Sequence, residues 1–452
     1  MVGIGGSGMC GIAEVLLDLG HNVSGSDLKQ SAVTDRLVSL GASVYLGHSS
    51  ANLGAADVVV ISSAVTQDNP EVQIARAKKI PVIPRAEMLA ELMRLKYSVT
   101  IAGAHGKTTT TSMIGLLLHD AGLDPTIVIG GRLQLFGSNA RAGKGEFIVV
   151  EADESDRSFL KLSATIAVIT NIDAEHLDQY SNLDDIKRSF VEFANKVPFY
   201  GVVIVCLDNE ASRSILPLIE RKVVTYGFSQ EADFRADPIL MKENISEFQV
   251  YHHGVNLGAA RLSVPGTHSI LNSLAVFAVA AELGLSFDVA RQALVRFQGV
   301  DRRFQVKAHF NDILIIDDYA HHPSEIEATL MAARRGWNRR VIAVFQPHRY
   351  TRLYHLMDQF AGCFSNTDVL VLTEIYPAGE KPIMGIGIDA LASKVKHPHV
   401  LVHKDLQTLP EKVLSIAQPG DIVLFLGAGS ITTAADHTAR LLLEQTKIGK
   451  EQ

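Results

Sequence analysis

Short β-branched runs alternate with amphipathic helical stretches almost throughout this chain. The runs fall at 58–61, 98–102, 147–150, 166–170, 202–207, 313–316, 341–345, 369–372 and 422–426. Alternation of this kind means parallel sheets flanked by helices. At about 100 to 200 residues per domain, 452 residues suggest three such domains. The pattern resets near 94–98 and near 299–303, which predicts domains at 1–96, 97–299 and 300–452. The fold class expected is α/β with mainly parallel sheets. One region breaks the rhythm: 233–265 carries alternating segments and a turn at Gly254, which predicts a small antiparallel edge on the middle domain.

Charge and cysteine usage narrow the function. The formal net charge is -7 and no block of five like charges occurs, so a nucleic-acid surface has no electrostatic footprint. Apolar runs are strand-sized, well short of the ~20 residues of a membrane helix. Cys10, Cys206 and Cys363 are scattered without metal-ligand spacing, as expected of reduced thiols in the cytoplasm. No basic segment precedes a continuous apolar core at the start, so export is not expected.

The amino-terminal segment is glycine-rich. Gly3, Gly5 and Gly8, and again Gly6, Gly8 and Gly11, satisfy G-x-G-x-x-G ahead of a helix expected at 12–19. Asp27 follows a second strand expected at 22–26. Glycines at such a turn let backbone N–H groups approach a pyrophosphate at a helix N-terminus, and the acid can hold a ribose hydroxyl. The pattern specifies a diphosphate rather than nicotinamide. A dehydrogenase is the competing reading of this segment, and a tight turn that binds nothing is another.

A second phosphate signal is sharper. Residues 97–102 read as a buried strand, Gly103-Ala104-His105-Gly106-Lys107-Thr108-Thr109-Thr110-Thr111 as a turn, and 112–121 as a helix. Loop amides at Gly103, His105 and Gly106 can cradle phosphates, Lys107 can bridge the β and γ groups, and the Thr108 hydroxyl can ligate Mg²⁺. With Ile101 at the position of the usual first glycine, the loop is shorter than the strict pattern. Glu151-Ala152-Asp153-Glu154-Ser155-Asp156 follows the strand at 147–150, and Asn171-Ile172-Asp173-Ala174-Glu175-His176 follows that at 166–170. Ligands of α/β sheets gather at that carboxyl edge. Glu151 is therefore the best-placed metal carboxylate, and His176 is a further candidate.

The phosphate loop, the two acid segments and His268-x-x-x-Asn272 together resemble the Mur ligase family of bacterial peptidoglycan synthesis. Gly5-Gly6-Ser7-Gly8-Met9, Asp317-Asp318-Tyr319-Ala320-His321-His322-Pro323 and Phe345-Gln346-Pro347-His348-Arg349-Tyr350-Thr351-Arg352 extend the resemblance from Gly3 to about Gly429. It implies a UDP-sugar-binding first domain, a central ATPase domain and a carboxyl-terminal domain that closes over nucleotide and amino acid. The first and third would be Rossmann-like. Thr108, Glu151 and His176 would be magnesium ligands and Lys107 the γ-phosphate contact. Gly103, His105, Gly106, Thr109, His268, Asn272, Arg302, Arg303 and Asp318 would contact ATP. Gly6, Ser7, Gly8, Met9, Asp27, Tyr319 and His348 would line the sites of UDP-N-acetylmuramate and L-alanine, with His321, Arg349 and Arg352 acting beside the acyl phosphate. Two positions depart from the family pattern: Ala104 stands where Thr is usual and Ser269 where Asn is usual.

The activity so implied is ATP-dependent amide formation on a carboxylate activated as an acyl phosphate, with ATP and Mg²⁺ as cofactors. No nucleic acid or membrane partner is expected, and the protein would be a monomer or homodimer. A ligase for a preformed peptide is the alternative inside the family. A non-catalytic nucleotide switch is the alternative outside it.

Overall fold

Val2 holds the centre of the first sheet. It makes parallel bridges to Ser26 on one side and Ile61 on the other. Ser24–Asp27 pairs in parallel with Ser43–Leu46, and Val59–Ile61 with Val82–Pro84. Taking Val2 as the first strand, the order is 3-2-1-4-5, that of a doubly wound nucleotide-binding half. The glycine-rich turn leaves the carboxyl end of this bridged position at the point where the order reverses. The structure, a computed structural model, describes residues 1–62, 64–133, 138–175 and 179–449.

Among these, the chain divides into two compact units. One comprises Met1–Pro238, Phe248–Ala260 and Leu271–Phe297; the other comprises Ile239–Glu247, Arg261–Ile270 and Gln298–Gln452.

The large sheet runs in the order Val255–Leu262, Ile245–His252, Phe234–Lys242, Val223–Gly227, Val202–Cys206, Ile166–Ile169, Tyr97–Ala102, Phe147–Glu151, Thr126–Leu133, Ser138–Arg141. Its central pairs are parallel. Tyr97–Ala102 is buried along nearly its whole length, Ser98 and Thr100 included, as expected of a central parallel strand covered on both faces. At the Val255–Leu262 edge, turns at 243–244 and 253–254 join successive strands, and connections that short require antiparallel neighbours. Thr126–Leu133 and Ser138–Arg141 form another antiparallel pair, which the sequence pattern did not signal.

Phe159 packs against both Phe190 and Phe193, with its ring centroid 5.2 Å from each of theirs. Each contributes roughly 2–3 kcal/mol by burial. Asn182 caps the helix Leu183–Asn195 by accepting the Asp185 N–H.

In the second unit a six-stranded sheet runs Gln305–Phe310, Ile313–Asp318, Asp421–Leu426, Arg340–Phe345, Val369–Leu372, Val400–Val402. Only its first pair is antiparallel. Pro323 opens the helix Pro323–Gly336, and the Glu325 carboxylate accepts the N–H groups of His321 (3.1 Å) and His322 (3.4 Å). These bonds satisfy donors that the helix itself cannot.

All three cysteines are buried, and none forms a disulfide. Burial pushes the Cys206 thiol up to about 12 and that of Cys363 still higher. Among the described residues, no helix is long and apolar enough to cross a membrane.

Candidate active site

The helix after the phosphate loop begins earlier than its hydrophobic pattern suggests, running Lys107–Asp120 rather than from 112. Thr108, Thr109, Thr110 and Thr111 are β-branched and poor helix formers, yet packing of Thr110 and Thr111 inside the sheet layer overrides propensity. Lys107 therefore sits at the helix N-terminus, where the dipole favours an anion. Gly106 precedes it at φ +80°, and a Cβ there would lie 2.6 Å from Asn272 Oδ1. Gly103 has φ +141°, and a side chain there would collide with Thr170. Both positions require glycine.

Lys107 Nζ donates to Gly103 O (2.5 Å), Ala104 O (3.1 Å) and Glu154 Oε1 (2.9 Å). Burial alone would lower its pKa, but the Glu154 and Glu151 carboxylates outweigh that and raise it. Glu154 is itself pushed up to about 7, by burial first and by Asp153, against the pull of Lys107. Thr108 Oγ1 donates to Glu151 Oε1 at 2.9 Å, and Glu151 also accepts the Gly130 N–H at 2.6 Å. A hydroxyl and a carboxylate thus meet beside the loop, as expected from the order of strands. Thr109 is half-buried in the first helical turn.

The strand Ile166–Ile169 delivers Thr170, Asn171 and Asp173 to the other side of the loop. Asn171 Oδ1 accepts the His105 N–H at 2.8 Å, while its amide donates to His105 O at 2.9 Å. Thr170 Oγ1 donates to the same carbonyl at 2.6 Å, and His105 Nε2 lies 3.0 Å from Asp173. Sequence reading picked His176 from this segment, but His176 lies outside the described residues. Asn171 and Thr170, which grip the loop, were passed over although they begin the same polar cluster. Glu154 belongs to the acid motif after the strand Phe147–Glu151, and nothing in its spacing signals the bond to Lys107.

At the amino-terminal turn the helix spans Ser7–Asp18, five residues earlier than the apolar pattern at 12–19, with Gly6 as its cap. The strand before Asp27 begins at Ser24, not at 22. Gly5 N–H donates to Asp27 Oδ2 at 2.9 Å, which ties the turn to the second strand. The Arg85 guanidinium lies across Gly8 and reaches Asp153 at 3.5 Å. The Met9 side chain is buried in the core, and its N–H bonds to Gly6 O at 2.9 Å.

Asn272 is 7% exposed against Gly106, on the helix Thr267–Glu282. In the second unit His268, on the same helix, is held down to about 4 by burial and by Arg303. Arg303 pairs with Glu325 at 3.3 Å. Arg302 donates to Gly427 O at 2.6 Å. The guanidinium groups of Arg302 and Arg303 lie 4.8 and 5.3 Å from the centroid of Tyr319. Asp318 is pushed up to about 6 by burial, although it accepts the N–H groups of Phe304 (2.7 Å) and Ala320 (2.8 Å).

Tyr319, His321, His348 and Tyr376 form a continuous run of rings with successive centroids 5.3, 5.8 and 5.4 Å apart. Arg352 Nη1 lies 3.4 Å from His348 Nδ1. Burial, Arg352 and Arg349 bring His348 down to about 4. Tyr319, His321, His348, Arg349 and Arg352, drawn from two separate sequence segments, are thereby brought together at the carboxyl edge of the six-stranded sheet.

The phosphate loop, its acids and this ring cluster occupy segments that match three successive family models. These are the Mur ligase family catalytic domain over residues 1–97, the Mur ligase middle domain over 101–280 and the Mur ligase glutamate ligase domain over 302–429. The chain is similar to a UDP-N-acetylmuramate–L-alanine ligase of Geotalea daltonii, 54% identical over 446 residues, or 98% of this chain and 97% of that protein. Among solved structures it is similar to the UDP-N-acetylmuramate–alanine ligase of Thermotoga maritima, with TM-score 0.83 and 29% identity over 98% of each chain. A murein peptide ligase of Psychrobacter arcticus shares the fold at TM-score 0.72 and 24% identity, again over 98% of each chain. With more than half of its residues shared with such a relative over nearly its whole length, the chain belongs to the Mur ligase family.

Proposed function

We propose that this protein is an ATP-dependent ligase that joins L-alanine to the lactyl carboxylate of UDP-N-acetylmuramate through an acyl phosphate. ADP and phosphate are released, and the product serves peptidoglycan precursor synthesis. The observation that carries this reading is Lys107 at a helix N-terminus, beside a Thr108 hydroxyl and a Glu151 carboxylate that lie 2.9 Å apart. The names of the relatives at more than 50% identity support the choice of substrates.

The lactyl carboxylate attacks the γ-phosphorus of ATP, and the reaction asks for charge neutralisation and positioning rather than a protein nucleophile. Lys107 and the loop amides neutralise the transferring phosphoryl group. Thr108 and Glu151 offer the hard oxygen donors that Mg²⁺ prefers, with His176 the proposed third ligand. When bound, the metal ion supplies further positive charge at the phosphates. His268, Asn272, Arg302, Arg303, Thr109 and Asp318 are assigned to ATP, and Gly6, Ser7, Gly8, Met9 and Asp27 to the UDP-sugar.

The alanine amine must lose a proton to attack, since its ordinary pKa lies above 7. His321 Nδ1 lies 3.0 Å from Tyr319 O, so that nitrogen carries the hydrogen and Nε2 is the basic one. Nε2 is assigned as the acceptor. Arg349, Arg352, His348 and Tyr319 are assigned to the amino acid and the acyl phosphate.

Residues 1–96, 97–299 and 300–452 would be the UDP-sugar, ATP and amino-acid domains of a cytoplasmic monomer or homodimer. The test is incubation with ATP, Mg²⁺, UDP-N-acetylmuramate and labelled alanine, with murein tripeptide as a second acceptor. Alanine conjugate and ADP are expected. Conjugation of the tripeptide alone would overturn the reading.

A further inference from the structure

Arg349 has an unusual backbone for a non-glycine residue, with φ +74° immediately before the helix Tyr350–Gly362. An arginine at positive φ is strained and persists only where its surroundings fix it. The fixing group is a carboxylate from another loop. Glu380 Oε1 accepts Arg349 Nε–H at 2.6 Å and Thr351 Oγ1–H at 2.6 Å, while Oε2 accepts the Thr351 N–H at 3.0 Å.

Glu380 reaches this position because its own loop doubles back. Ala378 and Gly379 take φ +49° and +86°. Tyr376, two residues before Ala378, pairs with the arginine segment through Arg349 N–H to Tyr376 O (2.9 Å) and Tyr376 N–H to Pro347 O (2.8 Å). Tyr376 also stacks on His348 with an interplanar angle of 12°. The loop at 376–380 is thus clamped to 347–351 at backbone, ring and carboxylate.

The chemistry follows from which nitrogen is engaged. A guanidinium that donates Nε–H to a fixed carboxylate has its plane set, and its terminal amino groups are then aimed as a pair. Paired donors suit a second carboxylate or a phosphoryl oxygen. We propose that Glu380 is a positioning residue that orients Arg349 toward the carboxylate of the incoming amino acid, so that it sets the affinity for that substrate. This inference rests on the ligase reading above. Glu380 does not itself meet the substrate.

The experiment compares wild type, Glu380→Gln and Glu380→Asp in phosphate-release assays, with alanine, ATP and the UDP-sugar varied in turn and melting temperature recorded. Glu380→Gln should raise KM for alanine tenfold or more, with kcat and the KM values for ATP and UDP-sugar changed less than threefold. Glu380→Asp, which keeps the charge, should recover much of the alanine KM. An unchanged alanine KM in Glu380→Gln would overturn the proposal while leaving the ligase reading intact. Equal rises in all three KM values, or loss of folding in both variants, would reduce Glu380 to a structural role and also overturn it. A wild-type protein indifferent to alanine would instead remove the ligase reading itself.

Discussion

The Lys107 ammonium and the Glu154 carboxylate lie 2.9 Å apart, with side chains only 15% and 4% exposed. Removing one partner strands the other charge, at a cost of roughly 3–5 kcal/mol. Lys107→Ala should therefore melt markedly lower and lose at least about 10³-fold in kcat. Lys107→Ala/Glu154→Gln should regain most of the melting temperature and none of the activity. Thermal melts beside phosphate-release assays separate the two effects, and a double variant no more stable than the single one would contradict the pairing.

The glycines of the loop make a steric prediction. Gly106→Ala sets a methyl group against Asn272 at a positive φ, and Gly103→Ala sets one against Thr170. Each should cost about 1–3 kcal/mol of stability and weaken nucleotide binding. Calorimetry with an ATP analogue should show the loss, and tight binding by either variant would contradict it.

Asn171 holds both backbone groups of His105. Asn171→Leu leaves the part-buried His105 N–H unmet, at about 1–3 kcal/mol for the group, while His105 O keeps its bond from the Thr170 hydroxyl. KM for ATP should rise roughly tenfold. Asn171→Asp keeps the acceptor and loses the donor, so it should fall between the two. Equal KM values across the series would show that the loop stands without this clamp.

Two histidines of the second unit give a pH dependence. His268 and His348 titrate near 4 in the folded protein, against an ordinary 6.5, because burial and neighbouring arginines disfavour their charged forms. The unfolded chain binds those protons more readily, so stability is full above about 6.5 and falls as pH drops toward 4. Denaturant melts between pH 7 and 4 should show the slope. His268→Gln/His348→Gln should flatten it, and an equally steep double variant would place the cause elsewhere.

Much of this was legible in the residues. The strand-loop-helix order around Lys107, the acid at 151 and the antiparallel edge after 233 all follow from hydrophobic period and turn chemistry. What could not be read was which polar group meets which. Glu154 and Glu151 are three residues apart in one motif, yet one turns to Lys107 and the other to Thr108, a choice set by the neighbouring strands. Helix starts were misplaced at 7 and 107 because glycine and threonine are weak helix formers, and tertiary packing overrode them. Glu380 carried no signal at all, since a lone acid in a loop reads as solvated until the fold carries it back to Arg349.

The buried thiols turn the molecule into its own reporter of opening. A sulfur beyond the reach of solvent cannot meet an alkylating reagent, so modification at Cys10 or Cys206 records loosening of the first unit and modification at Cys363 that of the second. Mass spectrometry after brief labelling would then rank the two units by resistance to heat or denaturant with no engineered label.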